Sequence, residues 1–392
     1  VYNQFNYGEP SPVAIRRFVD YMISDGNKSK FLLLLGKSIM SYQRIVKELP
    51  DEVPTVGFPG SDLLLVDGLR DTPDDVPTIP VGRVSALTDA EVNGYLDKVR
   101  TYEAQTDLTW RKNVMHISGG KSAGEIGQFT SYLSAIGSTV TGTPFGGTII
   151  QKVKTQAANV IEQLNISPEL NGAGLGMISY FGHGTTYRTD FNAGYVTDAA
   201  KGYNNTNKYP VMFFNGCGAN NVFSNLFGAT VNASTSRPLS LDWLIAPGKG
   251  AIAVFGNTWD SYPAASKEYL NRLYPAIFSK SDSDRGTVGQ ILQEVALRTK
   301  LEKKYAYRSS DNIYDAHRAN VHQVLLQGDP ALRILMSEPI AAIPQSTCES
   351  LGDQCSGNSQ EVRPYNINMS SSGSVPFRLT YKAHEGPSTG RI

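Results

Sequence analysis

Short runs of consecutive hydrophobic residues alternate along this chain with amphipathic helical patterns. Seven runs have the length of a strand and are apolar at nearly every position, which is typical of strands buried on both faces of a sheet. They lie at residues 31–35, 63–66, 114–117, 177–181, 211–214, 251–255 and 332–336. The alternation predicts an α/β fold, with a mostly parallel sheet flanked by helices.

The segments between these runs carry helix start signals. Thr88 and Glu91 have the spacing of a capping box ahead of an amphipathic pattern, and Ser122 and Glu125 repeat that spacing. A third pattern with helical period covers residues 153–164. All three segments are therefore predicted to be helices.

The pattern also divides the chain. At 392 residues it is long enough for two domains. A break near residues 104–112 predicts a smaller N-terminal α/β subdomain at residues 1–108 and a larger one at residues 109–336. Residues 337–392 are rich in Ser, Pro, Gly and Asn without periodicity, so we expect a linker or the start of a C-terminal β domain.

Charge and hydropathy exclude several partners. Lys plus Arg equals Asp plus Glu at 36 each, so no net charge favours nucleic acid or an anionic membrane. The apolar run at residues 31–35 is far shorter than the ~20 residues that span a bilayer. No signal peptide is recognisable, and because the sequence starts at Val1 we expect a processed piece whose termini do not report targeting.

Three cysteines are present, and they differ in context. Cys217 follows a hydrophobic run, whereas Cys348 and Cys355 lie close together in the polar tail. This distribution suggests one free thiol, and it leaves open whether the other two form a disulfide. None of the five histidines has ligand spacing to a cysteine pair, so no metal site is predicted.

Two segments superficially resemble phosphate-binding loops. Gly36-Lys-Ser38 and Gly120-Lys-Ser122 each carry the end of that motif. The motif requires a second glycine five positions before the first residue of each triplet, where this chain has Phe31 and Met115. A nucleotide-binding P-loop is therefore excluded.

Two neighbouring hydrophobic runs end in reactive side chains. Residues 177–181 lead into Gly182-His183-Gly184, and residues 211–214 lead into Asn215-Gly-Cys217. Because the carboxyl ends of parallel strands meet at one edge, His183 and Cys217 are expected to share a crevice. An imidazole with a pKa near ~6.5 can assist ionisation of a thiol with a pKa near ~8.5.

Each of these residues alone has an ordinary structural explanation. A single buried cysteine is more often a small hydrophobic core residue, and a histidine at a strand end is often structural. Together, at the ends of successive runs and each followed by glycine, they favour a nucleophile and its base. The backbone N–H groups of Gly184 and Cys217 are then candidates for an oxyanion hole.

The segments around His183 and Cys217 resemble the gingipain family of cysteine peptidases, which belongs with caspases and legumains. The likeness continues in residues 79–83, 251–259 and 326–333, so it covers roughly residues 5–336. Residues 203–210 are most similar to the PorU-type branch, surface proteases associated with type IX secretion.

The resemblance implies a caspase-hemoglobinase-like fold, with the catalytic subdomain at residues 109–336. It implies a cysteine endopeptidase in which Cys217 forms a thioester with a protein or peptide substrate and His183 acts as general base and acid. A secreted or bacterial cell-surface location follows from the same likeness. No cofactor is expected, although calcium as a structural ion would fit the family.

The resemblance also indicates residues of a substrate pocket. Trp259 corresponds to a pocket wall, and Glu125 and Asp260 are candidate acids for a basic P1 side chain. Glu125 also completes a capping box, and Trp259 has the alternative of a core aromatic. Arginine-specific relatives carry a carboxylate near the catalytic histidine just after the strand that matches 114–117, where this chain has Ser118-Gly-Gly120.

Two alternatives to hydrolysis use the same residues. One is a sortase-like transpeptidase of type IX secretion, which would pass the acyl group to an amine and have secretion-system components as partners. The other is a catalytically inactive structural or binding component of a secretion assembly, favoured by the missing acid after residue 117.

Overall fold

The computed structural model describes residues 1–24, 30–47, 51–223, 237–302 and 313–338, together with two short strands between 380 and 391. The chain divides into a compact unit, Val1–Pro339, and a second unit, Ile340–Ile392. Cys348 and Cys355 lie outside the described residues, so their pairing stays open. The division of the first unit at residue 108 also stays a prediction.

The strands are numbered in chain order. They are β1 (Leu32–Leu35), β2 (Val81–Val84), β3 (Asn113–Ser118), β4 (Thr148–Val153), β5 (Glu162–Gln163), β6 (Met177–Phe181), β7 (Gly184–Thr185), β8 (Arg188–Thr189), β9 (Phe191–Asn192), β10 (Val211–Asn215), β11 (Ala253–Asn257), β12 (Val324–Gln327), β13 (Thr380–Lys382) and β14 (Thr389–Arg391). The second unit contributes the antiparallel pair β13–β14.

Eight of these strands form the central sheet of the first unit, in the order β1-β2-β12-β11-β10-β6-β3-β4. The five strands from β11 to β4 are parallel to one another. Strands β1, β2 and β12 are also mutually parallel, and the only antiparallel pairing in this sheet joins β12 to β11. The predicted α/β class with a mostly parallel sheet is confirmed.

Ten helices accompany the strands in the described residues. They are α1 (Tyr2–Phe5), α2 (Pro12–Met22), α3 (Ser41–Lys47), α4 (Asp89–Glu103), α5 (Ala123–Thr141), α6 (Ser167–Asn171), α7 (Leu239–Ile245), α8 (Pro263–Phe278), α9 (Val288–Leu301) and α10 (Ile313–Gln323). Short 3₁₀ helices occur at Leu63–Leu65, Thr109–Lys112 and Ala199–Lys201. Among the helices described, none is long and apolar enough to cross a membrane.

Both predicted capping boxes mark real helix starts. The Thr88 side chain accepts a hydrogen bond from the Glu91 backbone N–H at the start of α4. The Ser122 side chain does the same for Glu125 at the start of α5. Short polar side chains at these positions satisfy N–H groups that have no partner within the helix, which fixes where each helix begins.

Two predicted strands are wrong. The run at residues 63–66 contains a 3₁₀ helix, because the preceding Asp62 is held by Arg83 through two hydrogen bonds of 2.6 and 2.8 Å and its carbonyl accepts from Leu65. The run at 332–336 is not a strand, since Leu335 has φ +54°, which extended backbone does not allow.

The predicted helix over residues 153–164 is also wrong. Its first residue ends β4, and the chain then turns around Glu162, whose carboxylate accepts the backbone N–H groups of Thr155 and Gln156. A side chain that binds backbone donors in this way competes with helix formation. The predicted strand at 251–255 is present but lies two residues later, as β11.

The core lies mainly on both faces of the sheet. Its largest fully buried aromatic side chains include Trp243, Phe213, Phe255 and Phe278. A smaller apolar cluster that includes Ile15, Val19, Leu34 and Leu65 packs beneath α2. Strands β6 and β10 are buried at every residue, so the sheet holds the residues that follow them on a rigid base.

Candidate active site

The segments that carry His183 and Cys217 leave the sheet side by side. Strands β6 and β10 are adjacent and parallel, with Phe181 opposite Asn215 at their ends. His183 and Cys217 each come two residues after that last pair. The Gly182 N–H donates to the Asn215 carbonyl oxygen at 3.2 Å, so the pairing continues past the strand ends. The expected meeting at one sheet edge is therefore supported by the register.

Glycines allow these two segments to touch along their backbones. A Cβ atom added to Gly216 would lie 3.1 Å from the Gly184 nitrogen and 3.2 Å from the Gly182 oxygen. Such distances are tighter than ordinary side-chain contacts. The absence of a side chain at Gly216 thus brings the peptide before Cys217 against the amide of Gly184, the two predicted oxyanion donors.

The His183 ring is held by a carboxylate and an aromatic ring. Its Nε2 lies 3.1 Å from Oε2 of Glu125, and its ring centroid is 6.1 Å from that of Phe129. Both partners belong to α5. The His183 side chain remains 31% exposed, so one side of the imidazole is open to a substrate.

Glu125 makes two kinds of contact. Its Oε2 accepts the Lys121 backbone N–H at 2.7 Å, which is the helix-cap role predicted from the sequence. The same oxygen contacts His183, which the sequence did not predict. The hydrogen bond from Lys121, together with the nearby His183, lowers the pKa of Glu125 below its usual value, so the group is anionic at neutral pH.

Cys217 is a free cysteine, partly buried, and its sulfur has polar neighbours. The Ser261 backbone N–H donates to Sγ at 3.5 Å, and the Ser261 carbonyl and hydroxyl oxygens lie at 3.8 and 3.9 Å. The Gly218 N–H donates to the Trp259 carbonyl oxygen at 2.8 Å, which ties the residue after Cys217 to the segment after β11. Cys217 is thus positioned by the segment that follows β11.

The other predicted pocket residues lie on that same segment. Trp259 is 39% exposed, so it is not a core aromatic, and its ring packs against Phe58 with 5.0 Å between centroids. The Asp260 side chain is exposed, and its carbonyl oxygen accepts from Gln323. Phe58, which no sequence signal marked, adds a second aromatic ring beside Trp259.

Asp190 was also missed from the sequence. It is a buried carboxylate whose Oδ1 accepts the His183 backbone N–H at 3.3 Å. It lies in a polar stretch without periodicity, and no motif distinguishes it from the other acids there. For metals, the described part of the chain contains no cluster of three or more potential His, Cys, Asp or Glu ligands. Calcium stays an untested expectation.

A mostly parallel sheet that delivers a His-Gly turn and a Gly-Cys turn side by side, with a carboxylate on the imidazole, is the arrangement of a cysteine peptidase with a caspase-like α/β fold. The chain belongs to peptidase family C25, whose sequence profile matches residues 1–335. The prediction of a gingipain-family cysteine peptidase is confirmed, and its substrates are accordingly peptides. A comparison with curated protein sequences gives no significant match.

Solved structures share the fold. The crystal structure of the Arg-specific cysteine proteinase gingipain R (RgpB) is similar with a TM-score of 0.64 and 18% identity, over 85% of this chain and 71% of that one. The complex of Porphyromonas gingivalis RgpB pro- and mature domains gives 0.64 and 17%, over 85% and 72%. A further structure, described as a protease, gives 0.60 and 16%, over 83% and 70%.

Proposed function

We propose that the chain is an endopeptidase in which Cys217 is the nucleophile and His183 the general base and acid. The observation that carries this assignment is the backbone packing of Gly216 against Gly182 and Gly184, which requires the two reactive residues to leave the sheet together. The contact between His183 and Glu125 adds an anionic partner for an imidazolium. The absence of an acid after residue 117 therefore no longer favours an inactive protein.

The reaction follows from the order of these groups. The Cys217 thiol transfers its proton to His183, and the thiolate attacks the carbonyl carbon of the scissile peptide. The developing oxyanion is stabilised by the N–H groups of Gly184 and Cys217. His183 then gives the proton to the leaving amine, which leaves a thioester on Cys217. Water, deprotonated by His183, attacks the thioester carbonyl carbon. The C–S bond then breaks, the acid product leaves, and the Cys217 sulfur recovers its proton from His183.

In this series of steps, Glu125 is the partner that orients His183. Because Nε2 contacts the carboxylate, Nδ1 is the ring nitrogen that remains to exchange a proton with the thiol. A carboxylate already engaged in this way has little capacity to bind a basic P1 side chain. We therefore assign the pocket to Trp259 and Phe58, with Asp260 as the acid that would attract a basic side chain.

An activity-based probe tests the dyad. An acyloxymethyl ketone should alkylate Cys217 in the wild type, and Cys217→Ala should remove both labelling and peptide hydrolysis. His183→Ala should reduce both by at least about 1000-fold. Cys217 that resists every such electrophile while the protein is folded would instead support an inactive binding component.

Transpeptidation proceeds through the same thioester as hydrolysis, and the two reactions differ in the molecule that accepts the acyl group. Added amines should leave the product mass unchanged if water is the acceptor. An aminated product would favour the sortase-like reaction associated with type IX secretion. A secreted or cell-surface location and secretion-system partners are expected for that reaction and follow only from the likeness to the PorU-type branch.

A further inference from the structure

Asp190 contacts both peptide groups of His183. Its Oδ1 accepts the His183 N–H at 3.3 Å, and its own backbone N–H donates to the His183 carbonyl oxygen at 2.9 Å. The Tyr180 hydroxyl lies 2.6 Å from that carbonyl oxygen and also contacts Asp190 Oδ1. The backbone of His183 is therefore held on both sides without any contact to its ring.

The second oxygen of Asp190 reaches the segment that leads to Glu125. Oδ2 accepts the Gly120 N–H at 2.7 Å and lies 3.5 Å from Nζ of Lys154. Lys154 is buried and donates to the Gly120 carbonyl oxygen at 2.9 Å. The next residue, Lys121, donates its N–H to Glu125. One carboxylate thus connects the two segments that meet in the contact between His183 and Glu125.

Glycines give Asp190 the room to do this. A Cβ atom at Gly119 would lie 2.1 Å from Asp190 Oδ1, and one at Gly182 would lie 2.8 Å from it. Either approach is closer than real Cβ atoms tolerate. The Asp190 carboxylate also pairs with Lys154. Burial, and then Asp190, raise the pKa of Tyr180 well above its usual value, so the phenol keeps its proton.

We propose that Asp190 is a positioning residue for the peptidase reaction, which sets the His183 backbone and the Glu125 turn so that the imidazole and the carboxylate meet. The proposal rests on the proposed function of His183 and Cys217. Asp190 would act by fixing the geometry of the His183–Glu125 contact, without touching the substrate.

A double-mutant cycle tests it. Asp190→Asn keeps the shape of the side chain but replaces one acceptor oxygen with an NH₂ donor that faces Gly120 or Tyr180. We expect kcat to fall about 10- to 100-fold, the equivalent of one or two charge-assisted hydrogen bonds, with KM changed less than about threefold. Glu125→Gln should then lower kcat much less in the Asp190→Asn background than in the wild type, because the His183–Glu125 contact that it removes is already displaced there.

A second readout follows Cys217 directly. The pH profile of Cys217 alkylation by iodoacetamide should change in the same direction in Asp190→Asn and in Glu125→Gln, and the double variant should resemble each single one. Asp242→Asn is the matched control: Asp242 is also a buried carboxylate, and it accepts the Thr197 N–H and hydroxyl at 3.1 and 2.7 Å, contacts that involve none of His183, Glu125 and Cys217. It should lower stability and leave the alkylation profile unchanged.

Independent effects would overturn the proposal. If the reductions in kcat caused by Asp190→Asn and by Glu125→Gln multiply in the double variant, Asp190 is merely structural. The same holds if Asp190→Asn lowers only the melting temperature, as the control does. Should Asp190→Asn not fold, Tyr180→Phe removes the hydroxyl shared by Asp190 and His183 and is subject to the same criteria. Retained activity in Cys217→Ala would instead contradict the proposed function, independently of Asp190.

Discussion

The Nε2 atom of His183 lies 3.1 Å from Oε2 of Glu125, an oxygen that also accepts the Lys121 N–H at the start of α5. The helix cap and the partner of the imidazole are thus the same carboxylate. Because the cap anchors Glu125 to the first turn of α5, the position of His183 relative to the helix is restrained by a contact that already stabilises the fold.

The first prediction concerns the charge of Glu125. Glu125→Gln keeps an acceptor for Lys121 but removes the anion beside His183. We expect kcat/KM for peptide hydrolysis to fall about 10- to 100-fold. Steady-state kinetics with a peptide substrate measure this loss.

Glu91 provides the matched control for that change. At the start of α4, its Oε2 accepts the Leu87 N–H at 2.7 Å in the same capping geometry, away from His183. Because Glu91 also pairs with Arg237 at 2.6 Å, Glu91→Gln should lower the melting temperature at least as much as Glu125→Gln and leave the kinetics unchanged. Equal kinetics for both variants would show that Glu125 is a cap only, and an altered P1 preference in Glu125→Gln would return it to the pocket.

The second prediction concerns the glycine contact. In Gly216→Ala, the new methyl group would meet the Gly184 nitrogen and the Gly182 oxygen, so the segments of His183 and Cys217 must separate. A displacement of a few tenths of an ångström is expected to lower kcat about tenfold, since a misplacement of about 1 Å can lower it about 100-fold. Gly127→Ala, on α5 with no atom within 4 Å of the added Cβ, should retain full activity. Full activity in Gly216→Ala would mean that the segments need not touch.

The strands that lead to the active site could be predicted from the sequence, whereas the contacts that hold His183 in place could not. The runs before His183 and Cys217 are apolar at nearly every position because the strands are buried on both faces, and that pattern is visible in one dimension. The contact of Glu125 with His183 joins residues 58 positions apart, and it depends on the direction in which α5 packs against β6. No periodicity encodes that direction.

Local hydrogen bonds explain the predictions that were wrong. Glu162 binds the backbone of Thr155 and Gln156 and prevents the helix that the apolar spacing favours. Arg83, buried together with Asp62, fixes the backbone before residue 63. Both effects come from single polar side chains whose partners are remote or several residues away, so hydrophobic periodicity carries no trace of them.

The third prediction concerns the aromatic pair. Trp259 and Phe58 expose 39% and 61% of their surface and lie beside the segment bonded to Gly218. Trp259→Ala should raise KM about tenfold for peptides with a long or aromatic P1 side chain, because about 1.4 kcal/mol of apolar contact is lost. Phe58→Ala should act in the same direction. Tyr7→Ala, which removes a 98% exposed ring, is the control. Unchanged KM in Trp259→Ala would exclude this pocket.

The fourth prediction concerns stability in acid and a histidine outside the site. His116 is buried on β3, its Nε2 lies 2.9 Å from the Tyr274 hydroxyl, and within the described residues its Nδ1 has no partner. Burial lowers the pKa of His116 to about 4, so the folded protein keeps it neutral while the unfolded chain, with a pKa near ~6.5, takes up a proton.

The free energy of unfolding should therefore decrease as the pH falls from about 6.5 to about 4, by up to roughly 3 kcal/mol from this group. In His116→Gln that part of the decrease should disappear, as measured by urea denaturation at pH 7 and at about 4.5. Other groups titrate equally in both proteins, so parallel pH dependence in the two would contradict a neutral buried His116.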